Sequence, residues 1–261
     1  MSRRPNAPPQ GQIRNSQIVT TFGPGSLVDL PKQSVLIGGL DHWSSVGEEI
    51  HEKRLIEKLR RHLDMPALKL FSPPPANDDP GAPKTGITAW QFPEWFITQS
   101  VLHSDGLKRS RALVHRRTLV KGQYLDENRK KQPVVPVRFV RACRCGHVGD
   151  IDWRAFVHQG MRQCSRQLWF DESGTTGDIN EIDIRCECKL SRRLVHATQP
   201  ERQALGHCAG NRPWLGPDSR TDCTEINRLL VRAASNSYFP RLMSVISLPD
   251  RDESLDKPAG T

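Results

Sequence analysis

Seven cysteines stand in this chain, and none of them lies in its first 142 residues. Cys143, Cys145, Cys164, Cys186, Cys188, Cys208 and Cys223 all fall within the next 81. Small core residues would not crowd in this way. Without an export signal the thiols are expected in a reducing compartment, where metal ligation is a commoner use than disulfide bonding. Two of the pairs share a spacing. The alternating run from Val134 to Arg141 reads as a strand that delivers Cys143-Arg144-Cys145-Gly146-His147 into a turn. Ile182-Asp183-Ile184-Arg185 reads as a second strand ending in Cys186-Glu187-Cys188. Glycine behind a ligand lets the backbone curl so that its amides face the sulfur, so the first turn resembles a zinc knuckle, and the second repeats its strand-borne Cys-x-Cys. The two, 43 residues apart, suggest a zinc-ribbon-like pairing.

Tetrahedral zinc needs four donors, and Cys143, Cys145 or His147, Cys186 and Cys188 supply them with one position open. The Cys-x-Cys spacing places two sulfurs on one side of an extended chain, so Cys143 with His147 is the alternative pair. Cys164, Cys208 and Cys223 remain, with His158, His196 and His207 as fourth donors for a second zinc. The other reading of Cys164 and Cys223 is as buried small apolar residues. A structural zinc of this kind contributes roughly 10–16 kcal/mol at neutral pH, comparable to the stability of a whole domain. A closed four-ligand site leaves no position for a reacting water. Asp150 and Asp152 near His147, or a Cys164–His158 pair, form no diagnostic catalytic motif, so no enzyme activity is expected.

The formal charge of +9 is concentrated. Residues 106–146 hold twelve Lys and Arg against Asp126 and Glu127, whereas 147–188 hold four basic and eight acidic residues. A basic segment of this density suits a polyanion, most simply nucleic acid, through phosphate contacts and counterion release. Its candidate contacts are Lys108, Arg109, Arg111, Arg116, Arg117, Lys121, Arg129, Lys130 and Lys131. A solvated face, or a docking surface for an acidic protein, is the competing interpretation. Trp90, Phe92, Trp95 and Phe96 precede the segment and read first as core, with stacking on unpaired bases as the sharper alternative. There is no P-loop spacing and no GxGxxG.

The elements that must position these groups are short. Ile18 to Phe22 is β-prone before Gly23-Pro24-Gly25, and Ser34 to Leu40 offers a second strand. Ser45-Val46-Gly47-Glu48 has the form of a capping box and predicts a helix over 46–63. Asp222 and Glu225 predict a second helix carrying Ile226, Leu229, Leu230 and Ala233, followed by a strand from Met243 to Leu248. With 20 Pro and 19 Gly, the expectation is an α+β, loop-rich protein of small strand lobes, a few helices and a zinc-ribbon-like cysteine-rich module. The expected boundaries are a disordered arm at 1–12, an N-terminal α/β lobe at 13–71 and a Pro-rich linker at 72–86. An aromatic and basic segment at 87–142, a zinc-binding module at 143–249 and a disordered tail at 250–261 follow. No apolar run approaches a membrane span, and Ser2-Arg3-Arg4-Pro5 opens no signal peptide, so a cytoplasmic protein with no membrane association is expected.

Four phrases in order resemble one family. They are Gln17-Ile18-Val19-Thr20-Thr21-Phe22-Gly23-Pro24-Gly25-Ser26-Leu27-Val28-Asp29-Leu30, then Arg138-Phe139-Val140-Arg141-Ala142-Cys143 with Gly146-His147. Arg212-Pro213-Trp214-Leu215-Gly216 and Ala233-Ala234-Ser235-Asn236-Ser237-Tyr238-Phe239-Pro240 complete the set. Over residues 12–249 the chain is similar to the B subunits (DrmB) of the DISARM anti-phage system. The resemblance implies an accessory subunit that works with a superfamily-2 helicase-like A subunit (DrmA-type) on DNA, the partner carrying the ATPase. It also favours Cys143 with Gly146-His147 as the turn, Cys145 departing from the pattern. The chain stops soon after the fourth phrase, so it resembles an amino-terminal portion, with a separately encoded C-terminal half as an expected partner.

Overall fold

In the computed structural model, the described residues are 13–30, 33–74, 86–106, 108–161, 163–174, 176–232 and 237–246. The arm at 1–12, the tail at 250–261 and residues 75–85 of the Pro-rich segment lie outside them.

The described residues open with helix α1 (Asn15–Thr20), where a strand was expected. The Arg14 N–H donates to the Gln17 side chain at 2.9 Å and the Thr20 hydroxyl to the Ser16 carbonyl at 2.8 Å. These local bonds override the β preference of the sequence and turn Ile18 inward. Strands β1 (Leu27–Leu30) and β2 (Gln33–Ile37) form an antiparallel hairpin. Short strands β3 (Glu49–Ile50) and β4 (Leu70–Phe71) flank helix α2 (Lys53–Leu63) and pair with each other. The helix begins later than its capping box implied. The Gly47 and Glu48 amides donate to the Ser72 carbonyl and hydroxyl, both at 3.0 Å, which holds them beside β4 and leaves Glu52 as the cap.

Strand β5 (Ala89–Gln91) pairs with β2. A seven-stranded antiparallel sheet follows. Its members are β6 (Trp95–Thr98), β7 (His103–Asp105), β8 (Lys108–His115) and, after the small hairpin β9 (Tyr124–Leu125) with β10 (Lys131–Gln132), β11 (Val134–Pro136). The run expected to be one strand to Arg141 is broken at Val137. Its second half, β12 (Phe139–Ala142), leaves for another sheet with β13 (Val148–Gly149). Helix α3 (Trp153–Val157) comes next, then β14 (Leu168–Glu172), β15 (Ile182–Cys186) and β16 (Ser191–Arg193), which complete the large sheet in the order β11-β6-β8-β14-β15-β16 with β7 beside β8.

Both faces of the large sheet are covered. Leu113, Leu168, Phe170, Ile182 and Ile184 pack against Trp153, Phe156 and Val157 of α3, while Phe96, Ala112, Val114 and Trp169 form a smaller core behind. Strands buried on two faces need continuous apolar runs, which Ala112-Leu113-Val114 and Leu168-Trp169-Phe170 supply. Asp171 enters this interior only because Lys108 and Arg185 meet its carboxylate at 3.0 and 2.7 Å.

The last strand, β17 (Arg228–Val231), corrects the helix expected over Asp222 to Ala233. It pairs with β12, and its successive residues Leu229 and Leu230 pack into different cores. That is a period of two, which a free β12 edge imposes on a segment whose helical spacing was only local. Of the strand expected from Met243 to Leu248, residues 243–246 form none and 247–248 lie outside the described residues. The protein is an α+β, loop-rich fold of few helices and several small antiparallel sheets.

Candidate metal centres

The Cys143 turn joins β12 to β13. The Cys143 N–H donates to the His147 carbonyl and the Gly146 N–H to the Cys143 carbonyl, both at 3.1 Å. Closing this turn puts Gly146 at φ +82°, in the left-handed region. The Cys186 turn between β15 and β16 has the same pattern. The Cys186 N–H donates to the Leu190 carbonyl at 2.8 Å and the Lys189 N–H to the Cys186 carbonyl at 2.9 Å, with Lys189 at φ +75°. Two copies of one knuckle are therefore built on two hairpins.

They do not face each other, and the expected ribbon pairing is corrected here. Cys143 and His147 meet Cys208 and Cys223, while Cys186 and Cys188 meet His158 and Cys164. In each group the four donor atoms lie within 4.8 Å of one another. The donors interleave along the chain, the second set falling between members of the first. Each knuckle thus takes its remaining ligands from segments whose approach depends on the sheets.

In the first cluster the Cys143 Sγ lies 3.3 Å from His147 Nδ1 and 3.9 Å from Cys223 Sγ, and Cys208 Sγ lies 3.6 Å from His147 Nδ1. In the second, His158 Nε2 is 3.3 Å from Cys188 Sγ, and the Cys164 and Cys186 sulfurs are 3.5 Å apart. A tetrahedron with Zn–S near 2.3 Å and Zn–N near 2.0 Å has edges of about 3.8 Å between sulfurs and about 3.5 Å between sulfur and nitrogen. The donor sets fit such an ion, and either cluster could hold one.

The histidines are oriented from behind. The His158 ring nitrogen Nδ1 lies 2.8 Å from the Arg154 carbonyl, so it donates there and Nε2 keeps its lone pair for the sulfurs. His147 places Nε2 at 2.9 Å from the Thr221 hydroxyl and Nδ1 toward Cys143. The sulfurs also receive backbone amides two residues on, from Arg166 to Cys164, Cys188 to Cys186, Leu190 to Cys188, Gly210 to Cys208 and Glu225 to Cys223. The amide of Leu190 leads in holding the Cys188 thiol down to about 7, while burial pushes Cys186 and Cys208 up to about 11. Each cluster therefore contains a thiol held below its ordinary value beside one raised above it.

Of the sequence candidates, Cys145 is exposed and outside both clusters, and His196 and His207 join neither. His158 is a full member, although its sequence signal was only proximity to the cysteines. It is delivered by α3, whose Asp152 cap accepts the Ala155 N–H and whose buried face is Trp153, Phe156 and Val157.

The basic candidates divide. Lys108 pairs with Asp171, Arg111 with Glu172 and Arg116 with Glu94, and Arg109 donates to the Gly174 carbonyl. Arg117, Lys121, Arg129, Lys130 and Lys131 are exposed, and among the described residues none has a carboxylate in ion-pair range. The last four lie on or beside the β9–β10 hairpin, whose loop Asp126 organises by accepting the Asn128 and Lys130 amides. Phe92 and Phe96 are buried and Trp90 and Trp95 half-buried against the cores, so this cluster is packing and not a stacking platform. Among the described residues no helix is long and apolar enough to cross a membrane.

Comparison with known proteins places this geometry in a family. The chain is 27% identical over 238 residues to DISARM protein DrmB of Bacillus paralicheniformis (strain ATCC 9945a / NCIMB 11709 / CD-2), a match that takes in 88% of this chain and 39% of that protein. It spans about two-fifths of the relative's length, within the relative's amino-terminal part, in agreement with the resemblance read from the four phrases. The family model described as a domain of unknown function (DUF8724) matches residues 14–239, and the chain belongs to that family.

Proposed function

We propose that this chain is a zinc-stabilised, non-catalytic accessory part of a DISARM-type anti-phage defence subunit, acting in a helicase-containing complex on DNA. The observation that supports the metal half of this reading is the pair of Cys3His clusters, four-donor sets that, once filled by an ion, would leave no position for a reacting water. The relationship to DISARM protein DrmB carries the defence half. In mechanism, Cys143, His147, Cys208 and Cys223 would hold one zinc ion and His158, Cys164, Cys186 and Cys188 a second, and binding would tie the ends of the β12–β13 and β15–β16 hairpins to the loops of Cys164, Cys208 and Cys223. The exposed basic residues of the β9–β10 hairpin then meet phosphates, and a helicase-like A subunit supplies the motor. The whole subunit would include a C-terminal part beyond the length matched here.

Elemental analysis tests the metal directly. Two zinc ions per chain are expected, one remaining after Cys223→Ser or Cys188→Ser and two after Cys145→Ser. Zero zinc in protein purified without chelator, with an unchanged cooperative melt, would overturn the reading. The ion pairs of Lys108, Arg111 and Arg116 favour one second reading, a zinc-organised interaction scaffold without direct DNA contact, since a third of the basic candidates already have acidic partners.

A further inference from the structure

A cavity of about 480 Å³ opens where α3, β16 and the loop before Cys208 converge. Gln159 and Gly160, directly after His158, line it together with Leu205, Gly206 and His207, directly before Cys208. Its charged lining is Arg141, Arg192 and Arg202 against Asp152. The Asp152 carboxylate is engaged at the N-terminus of α3, where it accepts the Ala155 N–H at 2.9 Å.

The two arginines from the later segments are held without an acid. Arg192 donates Nη1 to the Phe156 carbonyl at 3.0 Å and lies 5.0 Å from the centre of the Phe156 ring, which fixes its guanidinium. Arg202 ends a 3-10 turn (Pro200–Arg202) and is exposed. Among the described residues neither has a carboxylate in ion-pair range. Burial, followed by the nearby charge of Arg202, lowers the Arg192 pKa. Like charges converging on a cleft create a field that draws in an anion. Guanidinium forks match the oxygens of phosphate, and the Gln159 and Gln203 side chains add neutral donors at the rim.

We propose that this cavity binds a phosphomonoester group, carried either by a small phosphorylated molecule or by the 5′ end of a nucleic-acid strand. The site is distinct from the basic hairpin and from both cysteine clusters, and it stands whether or not the hairpin contacts DNA. Titration calorimetry on the full metal-loaded chain, with inorganic phosphate and a nucleoside 5′-monophosphate as probes, is the direct test. Saturable one-to-one binding is expected. Losing one charge-assisted fork in Arg202→Gln should weaken it by about tenfold or more. Among the described residues Arg202 has no side-chain hydrogen bond or ion pair, so this variant should melt like the parent. Lys58→Gln, on the exposed side of α2, should bind like the parent.

Paired 5′-phosphorylated and 5′-hydroxyl single strands identify the source. A preference for the phosphorylated strand that disappears in Arg202→Gln supports the strand end. Binding of the monophosphate without discrimination between the strands supports a small molecule. Absence of saturable binding for every phosphate probe, or binding that Arg202→Gln leaves unchanged, would overturn the proposal.

Discussion

Asp150 is a buried carboxylate that is only half satisfied. Its Oδ2 accepts the Glu94 N–H at 2.9 Å, but its Oδ1 is buried without a partner. Burial, with the Glu94 carboxylate adding repulsion, pushes its pKa up to about 7. An aspartate in the unfolded chain titrates near pH 4, so between the two values the native state holds a proton that the unfolded state has released. Stability from this group therefore falls as pH rises from about 4 to 7, by roughly 4 kcal/mol in total. In Asp150→Asn that decline should be missing. Denaturant midpoints across the window, parent minus variant, provide the check, and parallel curves would contradict the assignment. The sequence presented Asp150 only as an acid near His147, because unpaired burial is a property of the surroundings and not of the residue. The same limit applied to His158, whose role depends on the Arg154 carbonyl behind it.

The hairpins explain why the knuckles were legible and the pairing was not. A strand followed by Cys-x-Cys is a local pattern, and both turns formed where the spacing placed them. Which distant thiols complete them is decided by the sheet edges. Cys223 approaches Cys143 through a loop that doubles back on residues 208–212. There Gly210 sits at φ +67° and the Thr221 N–H donates to its carbonyl at 3.0 Å. A β-carbon at Gly210 would lie 1.5 Å from the Thr221 carbonyl oxygen, so the two segments could not close as they do. With both clusters loaded as proposed, Gly210→Ala is expected to lose the ion of the first cluster and keep that of the second, leaving one zinc per chain. Retention of two ions with unchanged stability would show that the loop can close another way. The segment carrying Leu229 and Leu230 was misread for a related reason. Its helical spacing was real, but β12 offers a row of backbone partners that a helix there would leave unsatisfied.

Across the molecule, the phrases that carry the family resemblance are packing partners. Gly23 leaves room for the Tyr238 hydroxyl, Gly25 lies against the Trp214 side chain, and the Gly39 N–H donates to the Trp214 carbonyl at 2.6 Å. Val140 and Leu36 share a core with Phe92. The charge distribution is likewise a whole-molecule property. Pairing with acids occupies the β8 end of the basic segment, and Arg117 with the β9–β10 hairpin carries outward charge among its candidate contacts. If the hairpin meets phosphates, log affinity for DNA should fall steeply with log salt. Replacing Arg129, Lys130 and Lys131 together by Ala should then reduce that slope by up to about three. An unchanged slope would favour the scaffold reading. The amino-acid order alone determined the α+β, loop-rich character, the two knuckle turns, the basic segment and the family, because each rests on local spacing or on composition. Tertiary structure decided the ligand partition, the free basic residues, the arginine-lined cavity and the fate of Leu229 and Leu230. Each of these depends on which distant segments compete for the same sheet edge, core or counter-charge, and that competition is settled only when the chain closes on itself.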